Sequence, residues 1–259
     1  MIELINGNQT VNIDAGELVG FLINDHQLIH QKGSPGWRSS DTEMFPIIGP
    51  TNEADFRVQV SKGGAAVQDQ HGLLRELTYE LVSQTKQKAV FSKNYEALTR
   101  VENSKYPEKS TAPRLIWPFS FQFQKTFELK EDGLHITFSV NGEKGMPFML
   151  GYHPAFKLHT TTPQIISDSK KIGLDQILEV GSRALEVPHC EHLILEDTYS
   201  LEIRTEEFGS FMLWTEVPNM VCIEPITFYP YAVSQGMLHE GFQYLDNGAK
   251  EFKVVISVK

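Results

Sequence analysis

Cysteine is scarce in this 259-residue sequence, which contains only Cys190 and Cys222. Two cysteines outside a Cys-x-x-Cys pair cannot build the disulfide framework of a small secreted protein, so we expect both thiols to be reduced. Cys190 lies in the run His189-Cys190-Glu191-His192, whose side chains include metal-ligand types. Their tight spacing in a polar loop, with no distant partner set, argues against a metal site there.

Long apolar runs and clusters of positive charge are missing as well. No segment approaches the roughly 18 apolar residues of a membrane-spanning helix, and Met1-Ile2-Glu3-Leu4 lacks the basic-then-apolar pattern of a signal peptide. The 33 acidic residues outnumber the 23 basic ones, and no group of Lys and Arg is long enough to follow a phosphate backbone. We therefore expect a cytoplasmic protein whose partners include neither nucleic acid nor a membrane.

Several catalytic signatures are absent too. The sequence has no Gly-x-Ser-x-Gly nucleophile elbow, no phosphate-binding P-loop, no Gly-x-Gly-x-x-Gly dinucleotide motif and no His-Glu-x-x-His zinc motif. These absences exclude the enzyme classes that depend on those motifs. The candidate chemistry therefore rests on individual titratable side chains.

What the sequence does contain is strong two-residue periodicity. Between positions 119 and 130, apolar residues occupy the odd positions and polar residues the even ones, with Lys125 as the single exception. After Glu131-Asp132-Gly133 the alternation resumes through Val140. Because side chains alternate between the two faces of a strand, this pattern predicts an antiparallel hairpin with one face on a core and one in water.

The rest of the chain predicts a mainly β protein. Short strand-like segments are separated by turns, a short helix is indicated only around Asp175 to Glu179, and there is no internal repeat. Asn6-Gly7 between two such segments predicts a tight hairpin turn with two positive φ angles. Residues 33–50 are typical of a long loop. We expect one β-sandwich or β-barrel domain over residues 1–259.

Two titratable residues stand at predicted strand ends. His153 follows a strand and precedes Pro154, which has no amide hydrogen to continue the ladder. It is either accessible to a ligand and able to titrate near neutral pH, or held by a backbone carbonyl at a turn. Glu224 ends the apolar run Val221-Cys222-Ile223 and precedes Pro225. A carboxylate there must be paired, hydrogen-bonded or shifted in pKa, which suits a general base and equally suits a structural cap.

Further candidates lie mostly in loops. His71 stands next to a glycine, where backbone or ligand can approach closely, and Arg75 follows in the same loop. Trp37 and Trp117, also in loops, are the better candidates for stacking on a sugar. Trp214, inside an apolar strand, is expected to belong to the core.

Four short motifs occur in order along the chain. They are Met44-Phe45-Pro46-Ile47-Ile48-Gly49, His71-Gly-Leu-Leu-Arg75, Gly151-Tyr-His153-Pro-Ala-Phe156 and Cys222-Ile-Glu224-Pro225. The last three resemble the aldose 1-epimerase (galactose mutarotase) family, and the first resembles its LacX-like branch. The resemblance extends from about residue 15 to the C-terminus, and four motifs in order on an all-β chain argue against a chance match.

The resemblance implies an antiparallel β-supersandwich and a reaction that interconverts the α and β anomers of an aldose. By motif position, Glu224 is expected to be the base that takes the proton of the anomeric hydroxyl. His153 is expected to be the acid that protonates the ring oxygen. The family implies a small-molecule sugar substrate and requires no metal or organic cofactor.

The same resemblance implies further site residues. His71 would hydrogen-bond the sugar near the ring oxygen, as a third member of the catalytic group. Arg75 would bind a hydroxyl or an acidic substituent. Phe156, from the His153 motif, and Trp37, from its loop, complete the expected substrate contacts.

Two departures from the family pattern keep other functions open. Pro50 stands where the family usually has Arg, and Ile226 stands where a Trp commonly follows Ile-Glu-Pro. One alternative is an epimerase of hexose 6-phosphates, which would need arginines to converge on the phosphate, the candidates being Arg38, Arg57 and Arg75. The other is a non-catalytic carbohydrate-binding protein that has kept the cleft.

Overall fold

The computed structural model describes residues 1–37, 41–61, 66–168 and 170–259. Strands of the N-terminal half are β1 (Ile2–Asn6), β2 (Gln9–Asp14), β3 (Glu17–Ile23), β4 (His26–Gln27), β5 (Thr42–Met44), β6 (Glu80–Gln84), β7 (Lys88–Tyr95), β8 (Val101–Glu102), β9 (Arg114–Leu115), β10 (Phe121–Lys130) and β11 (Gly133–Gly142). Strands of the C-terminal half are β12 (Pro147–Phe148), β13 (Gly151–His153), β14 (Ala155–Lys157), β15 (Gln164–Ile166), β16 (Lys171–Gly173), β17 (Leu185–Val187), β18 (His192–Glu196), β19 (Ser200–Glu206), β20 (Ser210–Trp214), β21 (Met220–Ile226), β22 (Gln243–Tyr244) and β23 (Ala249–Val258).

Helices are few and short within these ranges. The α-helix α1 (Leu174–Val180) is the helix that the sequence indicates. Short 3-10 helices occur at Asn52–Ala54, Leu74–Glu76, Gly181–Arg183, Pro230–Ala232 and Gln235–Gly241. None of the described helices combines the length and hydrophobicity of a membrane span. The mainly β, antiparallel architecture is therefore confirmed.

A nine-stranded antiparallel sheet forms one layer of the fold. Its strand order is β16-β15-β18-β19-β23-β11-β10-β7-β6. The predicted hairpin is present as β10 and β11, with Lys130 opposite Gly133 at the turn. Alternation places Phe123, Phe127 and Phe138 on the core side with no exposed surface. Burying each ring contributes on the order of 1.5–3 kcal/mol, so the register is strongly specified.

A second sheet packs on the first and provides a face for the functional site. Its strand order is β17-β20-β21-β13-β5, and β14 also pairs with β21. Val221 and Ile223 of β21 lie in the same core cluster as the aromatic side chains of the larger sheet. Cys222 and Glu224 alternate with them and so face away from this core. Face-to-face packing of two antiparallel sheets is a sandwich.

Strand β5 departs from the sequence prediction. The sequence predicts a loop through residues 33–50, but Thr42–Met44 pairs antiparallel with Gly151–His153 at the edge of the second sheet. Three residues are too few to show a two-residue period, so this strand is specified by its distant partner. The pairing brings Thr42 beside His153.

The first hairpin is present, but its turn lies one residue later than predicted. Asn6 pairs with Gln9, so the connecting residues are Gly7 and Asn8. Of these two, only Gly7 has a positive φ, +60°. A glycine with positive φ at the first loop position suits a type II′ turn. The predicted pair of positive angles at Asn6 and Gly7 is therefore wrong.

The exception in the alternation, Lys125, is fully buried and paired with two acids. Its Nζ lies 2.6 Å from Asp41 Oδ2 and 2.7 Å from Glu43 Oε1. Tyr152 donates a hydrogen bond of 2.5 Å to the same oxygen of Asp41. Because a buried ion without a partner is costly, these contacts explain why the inward-facing position tolerates a lysine. They also connect the nine-stranded sheet to β5 and β13.

Candidate active site

The register of the second sheet places the two predicted catalytic residues side by side. Strands β13 and β14 pair with β21 in one continuous register, in which Ala155 lies opposite Cys222. Extending that register by two residues puts His153 opposite Glu224. The Nε2 atom of His153 lies 3.2 Å from Oε1 of Glu224.

The flanking strands complete this face. On one side, Thr42 of β5 pairs with His153. On the other side, β20 places Met212 opposite Glu224 and Trp214 opposite Cys222. Cross-strand neighbours share a face, so all these side chains point to the side away from the main core.

This face lines a cavity of about 420 Å³, a volume typical of small-molecule sites. The lining residues are Gly36, Trp37, Thr42, Met44, Gly49, Gln70, His71, Arg75, Lys109, His153, Ser182, Arg183, Ala184, Met212, Trp214, Glu216, Glu224 and Tyr231. Five of the six residues predicted for the site are among them. Phe156 is the exception.

Burial sets the protonation of the central pair. Glu224 is only 2% exposed, and this burial raises the pKa of its carboxyl well above the usual range. Burial, helped by the positive charge of Arg75, lowers the pKa of His153 to about 4. Both shifts favour a neutral pair, in which the Glu224 carboxyl holds the proton and donates it to the imidazole. The pair thus carries one shared proton rather than two opposite charges.

His71 approaches from a loop and completes a group of three titratable side chains. Its ring centroid lies 5.5 Å from that of His153, edge to face. The next residue, Gly72, has φ +69°, and a Cβ there would collide with the Phe45 carbonyl. The close approach expected at this glycine is therefore made by backbone. Burial, then His153 and Arg75, hold the pKa of His71 well below its usual value, and its buried Nδ1 has no hydrogen-bond partner among the residues that the structure describes.

Aromatic rings close the site around His153. Trp37 is stacked on the imidazole at a centroid distance of 5.4 Å, and Trp214 meets it edge-on at 6.2 Å. The prediction that Trp214 is a core residue is wrong, because its place opposite Cys222 puts it in the cavity wall. Trp117 has no exposed surface and packs in the main core, so it cannot be the expected platform.

The expected sugar contact from Phe156 also needs correction. Phe156 pairs with Val221 on β21 and has no exposed surface. Both side chains belong to the main core, on the opposite face from Ala155 and Cys222. Proximity to His153 in sequence misled the prediction, because three positions along the chain reverse the face of a strand.

Among the described residues, three cationic side chains line the cavity. They are Arg75, which the sequence predicts, and Lys109 and Arg183, which it does not. Lys109 lies in a loop and Arg183 ends the 3-10 helix Gly181–Arg183. Neither segment shows a periodicity in the sequence, so no local signal pointed to these residues. Arg57 lies outside this cavity, against a separate surface depression. Arg38, the remaining candidate for phosphate binding, falls outside the residues that the structure describes.

The site also contains donor atoms of the kinds that bind metals. A ring nitrogen of His153, Sγ of Cys222 and a carboxylate oxygen of Glu224 lie within 4.8 Å of one another. No other group of three such donors occurs in the described ranges. In the run at 189–192, Cys190 Sγ instead donates to the carbonyl oxygen of His192 at 3.1 Å.

Comparison with known families identifies the family to which this chain belongs. The sequence profile of the family described as aldose 1-epimerase matches residues 52–199, which is more than half of the chain. The chain belongs to the aldose 1-epimerase family. The matched range contains His71, Arg75 and His153, whereas Trp37 and Glu224 lie outside it.

Solved structures show the same aldose epimerase fold. A galactose mutarotase-like protein from Lactobacillus casei superposes with a TM-score of 0.80 at 16% identity, covering 100% of both chains. A galactose mutarotase related enzyme from Lactobacillus acidophilus gives 0.71 at 20% identity, covering 100% of this chain and 99% of that one. The GalM/aldose epimerase homologue from C. elegans gives 0.69 at 10% identity, covering 100% and 98%. No curated protein matches the chain significantly.

Membership of the aldose 1-epimerase family supports an epimerase or mutarotase type of activity on a sugar. Neither of the two departures from the family pattern lines the cavity. Pro50 lines neighbouring surface depressions and not the cavity itself. Ile226 is fully buried, opposite Gly151. The LacX-like branch stays a prediction.

Proposed function

We propose that this protein is a mutarotase that interconverts the α and β anomers of an aldose. The observation that carries the proposal is the contact of His153 Nε2 with Glu224 Oε1, 3.2 Å apart within a cavity of about 420 Å³. Ring opening needs one group to accept a proton while another donates one. A pair that shares a single proton supplies both groups. Because proton transfer alone opens the ring, the reaction needs no metal or organic cofactor.

The proposed reaction is symmetrical in its proton transfers. Glu224 takes the proton of the anomeric hydroxyl while His153 donates a proton to the ring oxygen. The bond between C1 and the ring oxygen breaks, and C1 becomes an aldehyde. Rotation about the C1–C2 bond presents the other face of the aldehyde to the released hydroxyl. Closure reverses both transfers, so the two side chains end in the states in which they began.

Sugar binding must move the shared proton for these roles to hold. In the free protein, burial favours the proton on Glu224 and a neutral His153. A hydrogen bond donated by the anomeric hydroxyl to the carboxylate stabilises its charged form. The proton then resides on His153, which points it at the ring oxygen.

Other cavity residues have supporting roles in this proposal. The imidazole of His71, in the cavity lining, provides a hydrogen bond for the sugar close to His153. Arg75 binds a hydroxyl or an acidic substituent at the rim. Trp37 offers an indole face to the apolar side of the sugar ring.

The test is polarimetry, starting from a pure α anomer, on wild type and two variants. Glu224→Gln and His153→Ala are each expected to reduce the catalysed rate at least about 100-fold, because each removes one proton-transfer group. Cys190→Ser, a buried change outside the cavity, is the control and should keep the wild-type rate. Full activity in either site variant would reject the assignment. Saturable sugar binding by a wild type that gives no rate above the uncatalysed one would indicate a non-catalytic binding protein.

Charge favours a second candidate, an epimerase of hexose 6-phosphates. Arg75, Lys109 and Arg183 line the cavity of a chain whose net charge is −10. Cations gathered in one cleft of an acidic protein suit an anionic substrate. Comparing glucose with glucose 6-phosphate tests this candidate. A strict need for the phosphate, inhibition by salt and a raised KM in Arg183→Gln would support it, and equal rates on both sugars would reject it.

A further inference from the structure

We propose that the cavity is also an inhibitory binding site for a thiophilic divalent cation of the Zn²⁺ class, held by His153, Cys222 and Glu224. This goes beyond the proposed function, in which Cys222 has no part. The coordination does not depend on that function, whereas the inhibition rests on it.

Strand geometry brings the three donors together. Cys222 and Glu224 are two residues apart on β21 and share the face that carries the site. His153 lies opposite Glu224 and diagonal to Cys222 in the register of the paired strands. One donor atom from each residue lies within 4.8 Å of the other two. The arrangement is therefore built by the sheet and does not depend on a mobile loop.

The donors are largely uncommitted within the described residues. His153 is the hydrogen-bonding partner of Glu224, and the carboxyl has no contact with a cation. Cys222 packs with Trp37, Ala155 and Met220. A bound cation would therefore compete with one hydrogen bond between two of its own ligands and not with an existing ion pair.

The spacing suits tetrahedral coordination. Zn²⁺ binds sulfur at about 2.3 Å and nitrogen or oxygen at about 2.0–2.2 Å, so donor atoms around it are about 3.3–3.7 Å apart. The His153 nitrogen and Glu224 oxygen are already 3.2 Å apart. A separation of up to 4.8 Å to the sulfur needs a side-chain shift of about 1 Å.

Ligand chemistry selects the kind of ion. A thiolate, an imidazole and a carboxylate together suit Zn²⁺, Cd²⁺ or Co²⁺, whereas Mg²⁺ and Ca²⁺ prefer all-oxygen sites. His153 and Glu224 line the cavity, so the ion enters from that side and its fourth position faces the cavity. The thiol and the carboxyl release their protons on binding. The bound ion then occupies the proton-transfer pair and excludes the sugar.

The test titrates metal-free protein with Co²⁺ and records the thiolate-to-cobalt charge-transfer band in the near ultraviolet. Wild type and Cys190→Ser are expected to show the band at one equivalent of metal. Cys222→Ser is expected to lose the band and to bind Co²⁺ at least about tenfold more weakly, because the site then has one ligand fewer. Glu224→Gln, which keeps the thiol, should keep a weaker band with at least about tenfold lower affinity. Mg²⁺ should neither produce nor displace the signal.

Several outcomes would overturn the proposal. They are the absence of a band in wild type, its persistence in Cys222→Ser, its loss in Cys190→Ser, and an affinity in Glu224→Gln equal to that of wild type. Glu224→Gln also keeps the proposal testable if Cys222→Ser fails to fold. Inhibition is measured separately, as a rise in the apparent KM for the sugar with Zn²⁺ that a chelator reverses. A band in a protein without mutarotase activity would support the metal site and reject the proposed function. Mutarotase activity in a protein without a band would support the proposed function and reject the metal site.

Discussion

Lys125 Nζ lies 2.6 Å from Asp41 Oδ2, and the two side chains are 0% and 1% exposed. This contact joins the nine-stranded sheet to the segment that enters β5. The same carboxylate accepts a hydrogen bond from the hydroxyl of Tyr152. Tyr152 lies on β13, the strand that ends with His153. The buried ion pair therefore lies directly behind the face that carries the candidate site, on the core side of the same strands.

Removing this lysine should destabilise the fold strongly. Lys125→Met removes the ammonium group that contacts both buried acids, Asp41 and Glu43, for which we expect a loss of about 3–5 kcal/mol in the free energy of unfolding. Urea denaturation measures the change. Lys130→Met, at the exposed end of the same strand, is the control and should change stability by no more than about 0.5 kcal/mol. Similar losses in the two variants would contradict the role assigned to the buried pair.

The turn after His71 should tolerate no side chain. Gly72→Ala combines a positive φ of +69° with a collision against the Phe45 carbonyl. We expect it to lower both stability and the rate of anomer interconversion, because the collision displaces the loop that holds His71. Gly145 is the matched control: its φ is +79°, but a Cβ there meets nothing within 4 Å. Gly145→Ala should cost only about 1 kcal/mol of stability and leave the rate unchanged.

Substitutions of Trp37 and Phe156 should have different effects, the first on sugar binding and the second on the stability of the core. Trp37→Leu removes an aromatic wall of the cavity and should raise the dissociation constant for the sugar about 2- to 12-fold, the equivalent of about 0.5–1.5 kcal/mol. Phe156→Leu changes only the core and should lower the unfolding temperature without altering sugar affinity. Calorimetric titration and thermal unfolding measure the two effects. Weaker sugar binding in Phe156→Leu would restore that residue to the site.

Acid stability should depend on Asp69, which supports the His71 loop. Burial opposes ionisation of Asp69, but hydrogen bonds from Gln70 and Asn103, together with Lys105, hold its pKa below the usual value. A depressed carboxyl pKa stabilises the fold above the unfolded-state pKa of about 3.9 and loses that contribution as pH falls through the folded value.

The matching variant is Asp69→Asn. We expect it to lower stability at neutral pH and to flatten the fall in stability below about pH 4, since the titrating group is gone. Thermal unfolding from pH 3 to pH 7 measures both effects. An acid limb equally steep in the variant would show that other carboxyls determine it.

Much of the architecture could be predicted because its signals are local. The two-residue period of β10 and β11 depends only on which residues alternate, and the structure reproduces it to the turn at Gly133. The same logic failed for β5, whose three residues are too short for a period. It also failed at Trp214, because alternation shows that a strand has two faces without showing which one meets the core.

The sequence by itself determined the class of fold, the hairpin of the large sheet and the motifs that carry His71, His153 and Glu224. Only the tertiary structure decided which of these side chains meet, since pairing between strands distant in the chain depends on the assembled sheets. The register between these strands places His153 in contact with Glu224, and Cys222 lies on the same face. The tertiary structure also placed Phe156 in the core and paired Lys125 with two acids. Both outcomes depend on which residues pack across the sandwich.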